Sequence, residues 1–214
     1  MKKIAVVRFP GTNCDRDVWK AVEAAGNRPV WAWHEEKFDA GQVDGVVVPG
    51  GFSFGDYLRA GALASRSPVL ESVREAAKRG VPVLGICNGF QILCEAGLLP
   101  GALLKNESLR FVDRWVTLKL KSEKSAWPSG KEVKLPVAHG MGRFFAPPDT
   151  LKKLWDNNQV WWTYEQNPNG AVDDIAGVTN EAGNVAALMP HPERAMAEWM
   201  GSADGIPFFG GKIQ

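Results

Sequence analysis

A cysteine stands at the centre of Gly85-Ile86-Cys87-Asn88-Gly89. The apolar run at residues 81–84 precedes it, and Phe90-Gln91-Ile92-Leu93 reads as the opening of a helix. A strand, a sharp turn and a helix put the Cys87 side chain on a strained corner at a sheet end. The flanking glycines let the backbone take that corner without a Cβ clash. The positive end of the helix dipole favours the thiolate there, the form that attacks carbon. A buried structural cysteine between two loop glycines would fit the same residues, so the nucleophile reading needs a base.

Candidates for the base are few, because the chain holds only three histidines: His34, His139 and His191. His191 sits in Met189-Pro190-His191-Pro192-Glu193-Arg194, after the apolar run 185–188. In an extended segment residues i and i+2 face the same side, so His191 and Glu193 can lie together. Pro190 and Pro192 fix φ on both sides of the histidine. A carboxylate beside the imidazole selects the tautomer whose free nitrogen faces the thiol, and it stabilises the imidazolium that forms. Alone, His191 and Glu193 would read as a surface pair; with Cys87 they read as a nucleophilic triad. Nearby, Val46-Val47-Val48 runs into Pro49-Gly50-Gly51-Phe52-Ser53-Phe54-Gly55-Asp56-Tyr57. Adjacent glycines after a strand expose backbone N–H groups, although such loops also mark ordinary turns. The N–H groups of Gly51 and Asn88 are the candidates for an oxyanion hole. Gln91 lies one helical turn past Cys87 and can face the same pocket.

The elements that must position these groups alternate along the first half of the chain. Residues 4–7, 29–33, 46–48 and 81–84 read as strands. Residues 17–25 read as a helix ended by Gly26, and Ser67-Pro68 opens another that Gly80 stops. Such βαβ units with right-handed crossovers predict an α/β fold with a mostly parallel open sheet and helices on both faces. Ligands collect at the carboxyl ends of such strands, where Gly51 and Cys87 fall. The second half predicts strands over residues 115–120, 131–138, 160–164 and 171–178, with a polar loop over 121–130. No repeat or linker divides the sequence, which predicts a single domain over residues 1–214.

Bulk properties agree with one compact enzyme. A net charge of +1 gives no pull toward nucleic acid or an acidic membrane. The three cysteines, an odd number, fit a reducing compartment better than a disulfide framework. Cys14 has no histidine-carboxylate pair near it in sequence, and it and Cys94 read as packed structural residues. Met1-Lys2-Lys3 is followed by only four apolar residues before Arg8, too short for a signal-peptide core, which predicts a cytoplasmic protein. Trp161-Trp162 reads as core rather than as a stacking platform, His34 as a loop residue and His139 as structural. Arg59, Arg110 and Arg194 could face anionic ligands or stand as solvated charges. No Walker motif is present, and no metal site is predicted.

The segments 49–61, 85–91 and 189–194 resemble class I (triad) glutamine amidotransferases, and more narrowly the glutaminase subunits of phosphoribosylformylglycinamidine synthases. Phe9-Pro10-Gly11-Thr12-Asn13-Cys14-Asp15-Arg16-Asp17 and residues 106–111 are similar to the same subunits, so the likeness runs from near residue 1 to about 195. One departure is Met141, which stands between Gly140 and Gly142 where the family commonly carries an acid. The chain also ends soon after Phe208-Phe209-Gly210-Gly211, without a longer family tail. The resemblance implies a flavodoxin-like fold and glutamine hydrolysis through a Cys87 thioester, with His191 and Glu193 as the remaining triad and Gln91 holding the amino-acid end of the substrate. It also implies a large synthetase partner that carries ATP and magnesium, a small third subunit, and conversion of formylglycinamide ribonucleotide to the amidine in purine biosynthesis. A glutaminase serving another synthetase, a free-standing γ-glutamyl hydrolase and a catalytically silent assembly subunit remain open at this point.

Overall fold

The computed structural model describes residues 1–127 and 130–210. Pro128 and Ser129 of the loop expected over 121–130 lie outside the described residues, as does Gly211. The strands β1 (Lys3–Arg8), β2 (Arg28–Trp33), β3 (Gly45–Val48) and β4 (Val83–Ile86) alternate with the helices α1 (Asp15–Ala24), α2 (Val69–Lys78) and α3 (Asn88–Glu95). Every residue of β3 and β4 is buried, as the continuous apolar runs require of central parallel strands. Asp15 and Asp17 lie in the first turn of α1, where negative charge complements the helix dipole, and Val18, Ala21 and Val22 face the core. The second half adds β5 (Ala102–Leu104), β6 (Val112–Leu120), β7 (Glu132–His139), β8 (Arg143–Phe145), α4 (Pro148–Asp156), β9 (Val160–Tyr164), β10 (Ile175–Thr179), β11 (Val185–Leu188) and α5 (Ile206–Gly210).

Nine of these strands form one sheet in the order β2-β1-β3-β4-β11-β10-β9-β6-β7, while β5 and β8 pair separately. From β2 to β11 every pairing is parallel. From β11 to β7 every pairing is antiparallel, so β10 and β6 run against the other strands. The mostly parallel α/β sheet is therefore borne out, extended by an antiparallel half. The step from β1 to β2 and the step from β3 to β4 travel in opposite directions across the sheet. Right-handed crossovers then put α1 and α2 on opposite faces.

One local expectation differs. Residues 171–178 were expected to be extended throughout, but a short turn over Val172–Asp174 intervenes, with Asp173 and Asp174 at φ 50° and 56°. Left-handed aspartates end extended pairing, and β10 starts only at Ile175. The helix α4 was not among the expected elements; Leu151, Leu154 and Trp155 stand at helical spacing, with Leu154 buried and Leu151 packed against the core. Trp161 and Trp162 are core residues, both fully buried beside Phe208 at ring-centroid distances of 5.8 and 6.1 Å. No helix among the described residues is long and apolar enough to cross a membrane.

The strand order has one decisive consequence. β3, β4 and β11 are neighbours, and the register pairs Val48 with Gly85 and Ile86 with Leu188. The loops leaving their carboxyl ends therefore begin side by side: residues 49–51, residue 87 and residues 189–191.

Candidate active site

Cys87 occupies the corner between β4 and α3 at φ 50°, ψ −106°, a left-handed conformation uncommon for a side-chain-bearing residue. The corner is pinned on both sides. Cys87 N–H donates to Leu188 O at 2.9 Å, and its carbonyl accepts from Phe90 N at 2.9 Å and Gln91 N at 3.2 Å. Gly89 fits α3 against the sheet: a Cβ there would lie 1.8 Å from Val48 O. Gly50 marks where the chemistry converges. A Cβ at that position would stand 2.8 Å from His191 Cε1, 3.2 Å from Cys14 Sγ and 3.3 Å from Cys87 Cβ. Only a glycine after β3 leaves room for the Cys87 side chain and the His191 imidazole to approach each other.

His191 Nδ1 and Glu193 Oε1 are 2.7 Å apart, and both side chains are buried. The expected extended segment is not what brings them together: a 3-10 turn over Pro192–Arg194, closed by Arg194 N–H to His191 O at 3.2 Å, folds Glu193 back beside the ring, and His191 N–H is anchored to Pro136 O at 2.9 Å. His191 Nε2 forms no hydrogen bond, which leaves that nitrogen for the thiol side. Burial pulls the His191 pKa down. The Glu193 charge, with Cys87 and Cys14 beside the ring, outweighs burial and holds it well above 6.5. The imidazole is therefore protonated near neutral pH, ready to donate a proton. Replacing Glu193 by Gln should keep an acceptor at Nδ1 but remove the charge that raises the His191 pKa. We expect its loss of turnover to be about 100-fold smaller than for removal of the imidazole, read from kcat with glutamine. A loss as large as that for His191→Ala would contradict the orienting role.

The N–H groups of Gly51 and Asn88 donate to nothing among the described residues. Asn88 opens α3, where the first-turn N–H groups have no partner within the helix. Its side chain ties the site together: Oδ1 accepts from Ser53 N at 3.1 Å, and Nδ2 donates to Gln91 Oε1 at 2.8 Å and to Asp56 Oδ1 at 3.3 Å. Gln91 Nε2 donates in turn to Met141 O at 2.7 Å. A cavity of about 110 Å³, with Gly51, Cys87 and Gln91 among its lining residues, opens beside this network. The expected groups are thus brought together around one pocket.

Three further residues also border the site, two of which, His139 and Cys14, read as structural in the sequence. His139 lines the cavity, and burial first, then the His191 charge, push its pKa down to about 4. Asn106 Oδ1 lies 3.1 Å from its Nδ1, and Asn169 Nδ2 lies 3.4 Å from its Nε2, an arrangement that suits the neutral ring with the proton on Nδ1. His139 is therefore a wall rather than a second base. Asn106, fully buried, also donates to Arg110 O and His139 O at 2.9 Å and accepts from Gly142 N, which fixes the loop over the pocket. Cys14 is the residue that sequence distance hid. It lies beside His191, Arg194 Nη2 donates to its sulfur at 3.2 Å, and burial pushes its thiol pKa up. Cys14, His191 and Glu193 could offer ligand atoms to a metal within 4.8 Å of one another. A neutral thiol under an arginine is a poor cation ligand, so no metal centre follows. Arg59 is engaged by Glu95 at 2.5 Å rather than by the site.

Over residues 1–205 the chain matches the CobB/CobQ-like glutamine amidotransferase domain. It belongs to that family. The phosphoribosylformylglycinamidine synthase subunit PurQ of Thermus thermophilus is 50% identical to it over 221 residues, covering 98% of this chain and 97% of the relative. The solved structure of PurLQS from Thermotoga maritima contains a chain that superposes with a TM-score of 0.89 at 42% identity, covering 98% of this chain and 96% of that one. A glutamine amidotransferase from Thermotoga maritima shares the fold with a TM-score of 0.58 at 17% identity, over 94% of this chain and 81% of that one. In this amidotransferase fold, the elbow cysteine and the buried His191–Glu193 pair stand at the ends of adjacent strands.

Proposed function

We propose that this chain is the glutaminase subunit of a phosphoribosylformylglycinamidine synthase. The observation that carries the reading is the unbonded Nε2 of a buried, Glu193-paired His191 meeting Cys87 over Gly50. Similarity to PurQ over nearly the whole chain supports the choice of acceptor pathway.

The Cys87 thiolate attacks the side-chain carbonyl carbon of glutamine. The N–H groups of Gly51 and Asn88 receive the oxyanion, a contribution of about 3–4 kcal/mol per donor in comparable sites. His191, oriented by Glu193, gives its proton to the departing nitrogen, and ammonia leaves a glutamyl thioester on Cys87. The same imidazole, now neutral, takes a proton from water, which attacks the thioester and releases glutamate. Ammonia passes to a large synthetase subunit that binds ATP and magnesium and converts formylglycinamide ribonucleotide to the amidine. The PurLQS likeness supports that partner and a small third subunit. The complex works in the cytoplasm, in de novo purine synthesis, and this chain supplies no cofactor of its own.

The test is amination by the synthetase with ATP, with glutamine or ammonia as nitrogen source. Adding this chain should confer use of glutamine. A synthetase that works on ammonia but stays blind to glutamine in its presence would refute the pathway.

A further inference from the structure

The cavity beside Cys87 is lined by apolar groups (Phe52, Phe111 and Met141), by the polar Cys87 and Gln91, and by a single carboxylate, Asp56. No lysine or arginine among the described residues lines it, and His139 is neutral at physiological pH. Among the described lining residues Asp56 is therefore the one carboxylate, and no cationic side chain balances it. Its Oδ1 accepts from Asn88 Nδ2, while Oδ2 accepts from nothing among the described residues, and no cation forms an ion pair with it. A half-buried carboxylate without a counter-charge is costly to keep ionised, and burial pushes its pKa up accordingly.

The backbone holds it there firmly. Phe54, Gly55 and Asp56 all take positive φ, at 52°, 67° and 54°. Ser53 N–H is fastened to Asn88 Oδ1 at 3.1 Å and Phe54 N–H to Pro10 O at 2.7 Å. The carboxylate is thus placed before any ligand arrives, which saves ordering cost on binding. Glutamine brings two charged groups, an α-carboxylate and an α-ammonium, to a pocket whose described lining offers a carboxylate away from the nucleophile and no lysine or arginine. Its reacting carboxamide must sit at Cys87, which leaves the α-ammonium at the far end of the molecule, toward another part of the wall.

We propose that Asp56 binds the α-ammonium group of glutamine and so selects a free amino acid over other carboxamides. The assignment rests on the glutaminase reading above. Asn88 then acts twice, because the same side chain that steadies Gln91 fixes the orientation of the Asp56 carboxylate.

The experiment uses the chain in complex with its synthetase. It compares KM for glutamine with the competitive KI of 4-carbamoylbutanoate, which is glutamine without its amino group. In the wild type the analogue should bind at least 30-fold more weakly than glutamine; equal binding would overturn the proposal without any variant. Asp56→Asn keeps the acceptor for Asn88 and removes the charge. It should raise KM for glutamine about 30- to 100-fold, with kcat within about threefold and KI for the analogue unchanged. Asp56→Glu, which keeps the charge, should recover part of that loss. If Asp56→Asn instead weakened both compounds alike, or lowered kcat alone, the residue would act only through Asn88 and the proposal would fail. A wild-type complex that hydrolyses no glutamine would instead sink the glutaminase reading itself.

Discussion

His191→Ala should lower glutamine-dependent turnover by about 10⁴-fold, equivalent to about 5.5 kcal/mol of transition-state stabilisation. The size follows from how much one ring does. It supplies the proton that lets ammonia leave, and then removes one from the attacking water, and no other base is in place. His139 lines the same cavity but is held neutral, between Asn106 and Asn169. The substitution has a second effect that the sequence alone does not suggest. Glu193 has no exposed side-chain surface, so deleting its partner strands a buried carboxylate. Breaking such a pair costs about 3–5 kcal/mol of stability, less whatever protonation of Glu193 recovers. His191→Asn separates the two effects, since its amide can still donate toward Glu193 Oε1. It should be as inactive as the alanine variant and clearly more stable in urea. Near-normal glutaminase rates in either variant would refute the triad.

Gly89→Ala should do the most damage for a single added methyl group. The new Cβ would lie 1.8 Å from Val48 O and 2.8 Å from Val48 C, and both atoms belong to a central strand rather than to a side chain that could swing away. The helix α3 must lift off β3, and the elbow that carries Cys87 moves with it. We expect a loss of about 3 kcal/mol or more, a fall in Tm of roughly 6–12 °C and little glutaminase activity in what remains folded. Gly80→Ala is the control. Unlike Gly89 it has positive φ, at 78°, but a Cβ there meets nothing within 4 Å, so only conformational strain of about 1 kcal/mol is at stake. Equal melting temperatures for the two variants would contradict the close approach of α3 to β3.

What could be read from the sequence was local. The elbow glycines, the His191-Pro192-Glu193 spacing and the apolar runs of β3 and β4 each specify their geometry within a few residues. The parallel half of the sheet followed from those runs, and with it the meeting of Gly51, Cys87 and His191. The antiparallel half did not, because the neighbours of β6 are set by long-range register: β9 follows it by some forty residues yet pairs with it directly. The polar scaffold was illegible for the same reason. Asn106 finds His139 thirty-three residues away, and Arg194 finds Cys14 across a separation of 180, so no short motif announces either contact. Asp56 stood in plain view in a quoted segment, but its significance depends on which other charges share its cavity, and only the fold decides that. The helix α4 went unread because its apolar face is short, with Leu151, Leu154 and Trp155 confined to nine residues.

The most direct test of the account is the choice of nitrogen source by the Cys87→Ala complex. The complex would be assayed for amination of formylglycinamide ribonucleotide, with glutamine and with ammonia, beside the wild type. Loss of glutamine-driven amination with ammonia-driven amination intact would place the nucleophile on this chain and the acceptor chemistry on its partner. Continued use of glutamine by Cys87→Ala would contradict the mechanism.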